Sequence, residues 1–416
     1  MLRAIFIDYS RKFGLIPVGE ILSNGTVLTA SLNGTWQALP VFFKKDTPQK
    51  WVPFQVPQKW NLNVWNECDE AWFVRPFLIP DAFSNKNLFA EFDCVLIKAE
   101  VFINGQFAVE HTGFNSAFDV DITKYTHAGK TNYLQVLIKG NKRFINDNNG
   151  YLRMLYDLKE KTGKVGGIPL PVRLAARGKI NVKETIITPS VREKKISGEI
   201  VLRSSGEKPA GSRCELDIIP RNSGEKTIFS IGEYKLLFTN GSSGDYKISF
   251  DKKWDNPHLW DINDPFLYFL RIKIYDEKNT LTEEYLERFG FREFWINDRD
   301  FILNNKKIHL LGPSEWMSLS MGAYMLRGDY HREMLLAMKN LNINAVRCHG
   351  QYFPQSLYEA ADEIGILCIM QFVSIYGSTR ENYKRGGDLA LTNIREDFTL
   401  AIKTLYNHPS IVIWDV

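Results

Sequence analysis

Pro354-Gln-Ser-Leu-Tyr-Glu-Ala-Ala-Asp-Glu-Ile-Gly365-Ile-Leu-Cys-Ile-Met370 spells out a helix and the strand that follows it. Pro354 stands where a first helical turn tolerates a residue without an N–H. Leu357, Ala360, Ala361 and Ile364 recur at the helical period, and Gly365 is suited to the left-handed residue that ends a helix. The near-continuous apolar run Ile366-Leu-Cys-Ile-Met370 then reads as a strand buried on both faces. The unit repeats on either side. Upstream, Met334, Leu335, Met338 and Leu341 share a helical face behind Asp329, an N-cap residue, and lead to the short strand Ala345-Val-Arg347. Downstream, Leu391, Ile394, Phe398, Ala401, Ile402 and Leu405 lead through Asn407-His-Pro409 to Ile411-Val-Ile-Trp414. Strand and helix alternating over three units predict the opening of a parallel α/β barrel. A complete (β/α)8 TIM barrel needs about 250 residues, and residues 295–416 supply about half of that. The expectation is a partial barrel that stops in its fourth strand, in a fragment or a truncated gene product.

The chain ahead of this region has a different period. From about residue 32 to 187, short runs alternate apolar and polar residues between turn signals. In Val101-Phe-Ile-Asn104-Gly105-Gln-Phe-Ala-Val109 the Asn-Gly pair supplies the positive φ angles of a tight hairpin turn. Repeated strands at this spacing predict a jelly-roll sandwich. Residues 188–294 carry shorter, more polar strands, such as Gly198-Glu-Ile-Val-Leu-Arg203, Tyr234-Lys-Leu-Leu-Phe238 and Phe266-Leu-Tyr-Phe-Leu-Arg-Ile-Lys-Ile-Tyr275. That length and pattern suit an immunoglobulin-like β-sandwich. The domains read as an N-terminal extension (1–29), a jelly roll (30–187), an immunoglobulin-like sandwich (188–294) and the barrel segment (295–416).

Composition closes off several function classes. With 44% hydrophobic and 24% charged residues, the 416-residue chain is globular. Its 52 Lys and Arg against 48 Asp and Glu leave a net charge of +4, too little to expect nucleic acid as a partner. The longest apolar stretch, residues 366–375, is interrupted by Gln371 and Ser374 and falls short of the roughly 20 residues of a membrane helix, so no membrane partner is expected. Asp8 ends the N-terminal apolar run early, which argues against a signal peptide and for a cytoplasmic protein. A periplasmic or secreted location stays open if the start is misassigned. Five cysteines without C-x-x-C spacing indicate neither a disulfide framework nor a zinc site, and no metal or cofactor is expected. The 13% aromatic content, with ten tryptophans, fits either sugar-stacking platforms or large β-rich cores.

The order of motifs resembles glycoside hydrolase family 2, whose members include β-galactosidases, β-glucuronidases and β-mannosidases. The resemblance runs from about Leu32. Leu32-Asn-Gly-Thr-Trp36 and Trp72-Phe-Val-Arg75-Pro-Phe77-Leu-Ile-Pro80 are similar to the family's opening strands. Ala99-Glu-Val-Phe-Ile-Asn104-Gly105, Gly113-Phe114, Asp119-Val-Asp121-Ile-Thr123 and Gly166-Gly-Ile168 with Val172-Arg-Leu174 resemble its jelly roll. Arg288-Phe-Gly-Phe-Arg292, Leu303-Asn304 and Lys307-Ile-His-Leu-Leu-Gly312 look like the entry to its catalytic domain. Asn344-Ala-Val-Arg347-Cys and Asn407-His-Pro-Ser-Ile411-Val-Ile-Trp414 look like its second strand and the approach to its fourth. The resemblance implies retaining hydrolysis of terminal β-glycosidic O-linkages on an oligosaccharide or glycoside. It places the acid/base glutamate about three residues past Val416 and the nucleophilic glutamate further on, so the 416-residue chain is expected to be inactive alone.

Barrel sites form at the C-terminal ends of the strands, which selects Arg347, His349, Gln371, Glu315 and Trp316 as substrate-binding candidates. Arg347 resembles the family arginine that pairs with the nucleophile; its other reading is a structural ion pair. His349 follows in Arg347-Cys-His349-Gly350, one residue shorter than the Arg-x-Ser-His of galactosidase-like members, so substrate-binding and structural roles both stay open. Trp316 either stacks on a sugar or closes the barrel mouth. Gln371 replaces an acidic residue of some β-galactosidases. Residues 373–389, with Tyr376, Arg380 and Tyr383, form an expected specificity loop. Residues 142–156, with Asp147, Asn148 and Asn149, are either a reach towards the barrel or a solvated turn. Asp415, alone on the last strand, is not taken as catalytic. The competing class is a non-catalytic carbohydrate-binding or interaction protein with a vestigial barrel. A homo-oligomer also stays open, since the apolar edge Ile411-Val-Ile-Trp414 could pair with another chain.

Overall fold

The computed structural model describes residues 13–42, 50–60, 65, 68–113, 116–140, 166–204, 211–222, 226–236, 244–315, 328–349, 354–371, 392 and 395–415. Asn104 and Gly105 adopt φ of 51° and 80°, and Ile103 lies opposite Gln106, so the Asn-Gly hairpin forms as its chemistry requires. It edges a six-stranded sheet ordered Val52–Val56, Gly34–Phe42, Cys68–Phe77, Asn132–Lys139, Ile97–Ile103, Gln106–Gly113. A five-stranded sheet faces it, ordered Ile21–Asn24, Val27–Ser31, Val172–Arg177, Asn87–Phe92, Phe118–Asp121. Every second residue of Ile97–Ile103 is buried, the alternation of a sheet with one core face. Trp36, Trp60, Phe73, Phe77 and Phe92 fill the space between the sheets. Trp36, Trp60, Trp65, Trp72, Trp254 and Trp260 are all buried, so most of the tryptophans belong to cores and not to sugar platforms. The first two strands revise the expected extension of residues 1–29, because residues 21–31 already belong to this sandwich. Ile21–Asn24 is largely exposed and shows no core-facing alternation, which hid it.

Two of the quoted motifs form one device here. Arg75 is 1% exposed, and among the described residues no carboxylate holds it. Its guanidinium donates to the carbonyls of Leu32 (3.0 Å), Ile16 (3.3 Å) and Pro17 (2.9 Å), and burial pulls its pKa down to about 10. Leu32 O also accepts from Trp36 Nε1 at 2.8 Å. The Leu32–Trp36 segment and the Arg75 strand are thus pinned together through carbonyls. Arg75→Met should lower unfolding free energy by roughly 2 kcal/mol, since hydrogen bonds to a charged group contribute about 1.5–3 kcal/mol. Urea melts check the value, and faster proteolysis near residues 13–20 checks the mechanism.

The second sandwich packs a three-stranded sheet (Ile180–Ser190, Lys195–Ser204, Asp245–Lys253) on a four-stranded one (Phe229–Lys235, Arg213–Pro220, Tyr268–Tyr275, Leu281–Phe289). Ile196, Ile200, Leu216, Leu270 and Tyr268 lie between them. Its first strand starts at Ile180, eight residues before the expected junction at 188, because Gly178 and Lys179 alone separate it from Val172–Arg177. So short a connection leaves no turn-rich stretch to read.

The period-2 pattern also lasts longer than expected. Phe294–Asn297, Asp300–Leu303 and Lys306–Ile308 form an antiparallel meander before any helix. Four parallel strands then follow in sequence order: β1 (Ser314–Glu315), β2 (Ala345–Cys348), β3 (Leu367–Gln371) and β4 (Ile411–Asp415). Helix α1 (Gly328–Asn340) connects β1 to β2, and α2 (Gln355–Ile364) connects β2 to β3. Residues 395–405 are helical ahead of β4. Pro354 is the N-cap residue of α2, and Gly365 ends it in the left-handed region at φ 77°. Asp329 lies inside the first turn of α1, two residues further in than the N-cap position, where its charge suits the helix dipole. Leu391 and Ile394 of the third expected helical stripe lie outside the described residues. Leu335, Leu357, Tyr358, Met370 and Leu405 form the core between strands and helices, joined by Leu96, Ile97 and Leu170 from the first sandwich. All five cysteines are buried. Among the described residues, no helix is long and apolar enough to cross a membrane.

Candidate active site

The position of β4 is set from outside the barrel. Asp362 of α2 is fully buried, and its carboxylate holds three groups: Arg288 Nη2 at 3.0 Å, His408 Nδ1 at 2.6 Å and the Ser410 backbone N–H at 3.1 Å. A carboxylate facing Arg288 and the Ser410 N–H acts as acceptor, so the His408 proton sits on Nδ1. Arg292 donates to the carbonyls of Pro409 (2.9 Å) and Ile411 (2.5 Å). A Cβ on Gly290 would come within 2.7 Å of the Pro409 Cβ, so glycine lets the two segments meet. Asn407 bonds the Ile187 N–H (2.9 Å), Thr185 O (2.8 Å) and Glu287 Oε1 (2.9 Å) of the second sandwich. Arg288-Phe-Gly-Phe-Arg292 and Asn407-His-Pro-Ser410, which read as separate signatures in the sequence, close on each other as one clasp.

At the other end of the strands, Arg347 organises the candidate site. Its Nε and Nη2 both reach Asp415 Oδ2, at 3.1 and 2.9 Å. Its Nη1 reaches Ser314 Oγ at 3.3 Å and His349 Nδ1 at 2.6 Å. A guanidinium only donates, so Nδ1 is the acceptor, and His349 is the neutral tautomer protonated on Nε2. Arg347 and Asp415 are each about one-third exposed at the side chain, which leaves the cluster open at the mouth. Gln371 pairs in register with Asp415 at the end of β3 and is 8% exposed. Its Oε1 is buried with no hydrogen-bond partner among the described residues, an open acceptor at the strand ends.

The sequence candidates therefore divide. Arg347, His349 and Gln371 come together, and Asp415 and Ser314 join them. Strand alternation sets Glu315 apart. Ser314 is in register with Arg347, and Glu315 with Cys348, Met370 and Trp414, the row that packs towards the helices. Burial raises the Glu315 carboxyl above its usual range. Trp316, Tyr376, Arg380, Tyr383 and the 142–156 segment with Asp147, Asn148 and Asn149 lie outside the described residues. Sequence reasoning passed over Asp415 because a lone carboxylate at a strand end carries no spacing signal; the charge of Arg347 two strands away was the one pointer to it.

The profile described as "Glycosyl hydrolases family 2" matches residues 180–292, and "Glycosyl hydrolases family 2, TIM barrel domain" matches residues 294–416. The chain belongs to glycosyl hydrolase family 2. This family-2 chain is 26% identical over 360 residues to a β-galactosidase of Thermoanaerobacterium thermosulfurigenes, covering 83% of the chain and 46% of that protein. A β-glucuronidase of Bacteroides fragilis is 26% identical over 365 residues, covering 83% of the chain and 48% of that protein. Among solved structures, Bacteroides uniformis β-glucuronidase superposes with a TM-score of 0.73 at 21% identity, over 93% of this chain and 46% of that one. That likeness supports the fold, β-sandwich domains followed by a TIM barrel domain. The chain spans about half the length of the curated relatives it matches.

Proposed function

We propose that this family-2 chain serves the retaining hydrolysis of terminal β-glycosidic O-linkages, with Arg347, His349 and Gln371 facing the sugar. The observation that carries this reading is the Arg347 cluster at the C-terminal ends of four parallel strands, where barrel enzymes hold their substrates. Neutral His349 offers an Nε2–H donor, and the Gln371 Oε1 is an acceptor matched to a sugar hydroxyl. Retention requires two carboxyl groups about 5–5.5 Å apart, one to protonate the leaving oxygen and one to attack the anomeric carbon. Among the described strand ends, Asp415 alone stands on the Arg347 face, so the acid/base and nucleophile roles go to residues beyond those described. Glu315, in the other row, takes neither.

The test compares two proteins on aryl β-galactoside, β-glucuronide, β-mannoside and β-glucoside. The gene expressed in full should hydrolyse at least one and release the β-anomer first, read by proton NMR. The 416-residue polypeptide should hydrolyse none. First release of the α-anomer, or no turnover by the full product, overturns the proposal. Turnover by the 416-residue polypeptide that survives repurification would return Glu315 and Asp415 to consideration. A non-catalytic carbohydrate-binding role draws on one observation, that Asp415 already occupies two donors of Arg347. It would show as saturable sugar binding by the full product with no turnover.

A further inference from the structure

Where the two sandwiches meet the helical residues 395–405, they form a half-open cavity of about 420 Å³ that shares no lining residue with the Arg347 cluster. The volume falls within the roughly 300–1,000 Å³ of small-molecule sites. Most of its charged side chains are already neutralised in pairs, and Glu287 is held by hydrogen bonds from Tyr285 and Asn407. Arg173 Nη1 holds Asp93 Oδ2 at 2.9 Å, Arg177 holds Glu91, and Lys403 reaches Glu184 at 2.9 Å. An ionic ligand would have to break one of these partly buried pairs and leave its partner uncompensated.

The unused bonding capacity is of another kind. Arg177 Nε and Thr185 Oγ1 are buried without hydrogen-bond partners among the described residues, and Thr185 is 6% exposed. Leaving such groups unpaired costs about 1–3 kcal/mol each, a penalty that a bound hydroxyl removes. Phe92 and Phe118, stacked at 4.8 Å between centroids, give the same wall an apolar surface, and Leu400 adds another. The geometry points to a second binding site, for a neutral polyhydroxylated molecule of monosaccharide size. One ligand hydroxyl accepts from Arg177 Nε, another bonds Thr185 Oγ1, and the C–H face lies against Leu400 and the edge of Phe118, whose faces are covered by Phe92 and His111. Such a ligand touches both sandwiches and the barrel segment at once, so it binds their assembled state.

The 416-residue chain carrying Arg347→Ala, which disables the barrel mouth, is titrated with glucose, galactose and glucuronate by calorimetry and saturation-transfer NMR. The expected result is saturable binding of a neutral hexose and none of glucuronate. Thr185→Val should weaken that binding about tenfold, the loss of about 1.4 kcal/mol for one hydrogen bond. Thr404→Trp should abolish it by filling the cavity from the helix. Leu400→Trp serves as a second plug if Thr404→Trp does not fold by circular dichroism. The proposal is overturned if neither neutral hexose binds, if glucuronate binds as well as they do, or if Thr185→Val and a folded plug variant leave binding unchanged.

Discussion

Asp362→Ala should lower the unfolding free energy by about 3–5 kcal/mol, the range for removing one partner of a buried ion pair. The carboxylate is fully buried and holds Arg288, His408 and the Ser410 N–H together. Its loss strands an imidazole N–H and a backbone donor in a closed space and leaves the partly exposed Arg288 guanidinium with Glu363 as its remaining carboxylate. Domains are stable by about 5–15 kcal/mol, so the loss is roughly a fifth of the total or more. Asn does not repair the site: its amide keeps one acceptor for Ser410 but turns a donor towards Arg288 and His408. Asp362→Asn should therefore fall close to the alanine variant, whereas Asp362→Ala combined with Arg288→Leu should recover part of the loss. Urea melts measure the free energies, and limited proteolysis should cut within residues 328–415 before either sandwich. An Asp362→Ala midpoint equal to the parent would remove the clasp from the account of how β4 is held.

In the gene's full product, Arg347→Ala should reduce kcat/KM by roughly 10² or more while leaving the melting transition nearly in place. A group that stabilises developing charge at a preorganised site contributes a few kcal/mol, and each 1.36 kcal/mol is tenfold in rate. Arg347 is suited to this because its donors are already fanned onto Asp415, His349 and Ser314. The same substitution should cost little stability, since the pair with Asp415 is one-third exposed and screened by water. Lysine cannot replace the fan with one ammonium, so Arg347→Lys should be nearly as slow. A variant within twofold of the parent in kcat/KM would leave Arg347 as a structural partner of Asp415.

What could be read from the sequence was what neighbouring residues decide among themselves. Asn104-Gly105 specifies its own turn, and Pro354 to Gly365 carries both ends of its helix. The order of sandwiches and parallel strands follows from where the period changes. Features that depend on a face or a distant partner were harder to read. Glu315 sits beside Ser314, yet a one-residue step along a strand reverses the side chain, and only the register with Arg347 and Cys348 shows which row faces the site. Asp362 lies between Ala361 and Glu363 on a helix that also exposes Glu359, so its charge reads as solvated. Its burial depends on Arg288 and His408, 74 and 46 residues away. The junction at Ile180 was obscured because consecutive strands share one alternation.

The clasp also fixes an order of assembly. Chains emerge from synthesis N-terminus first, at about 5–20 residues per second, and domains fold as units. Arg292, at the end of the second sandwich, is made more than a hundred residues before the Pro409 and Ile411 carbonyls that it holds. The sandwich is therefore a finished socket when residues 407–411 appear, and the last strand arrives at a template instead of searching for its register among three earlier strands. If the two parts were made as separate polypeptides, docking would become a bimolecular encounter and lose the high effective concentration of the covalent link. The sandwiches act as a scaffold for the birth of the barrel as well as for its finished form.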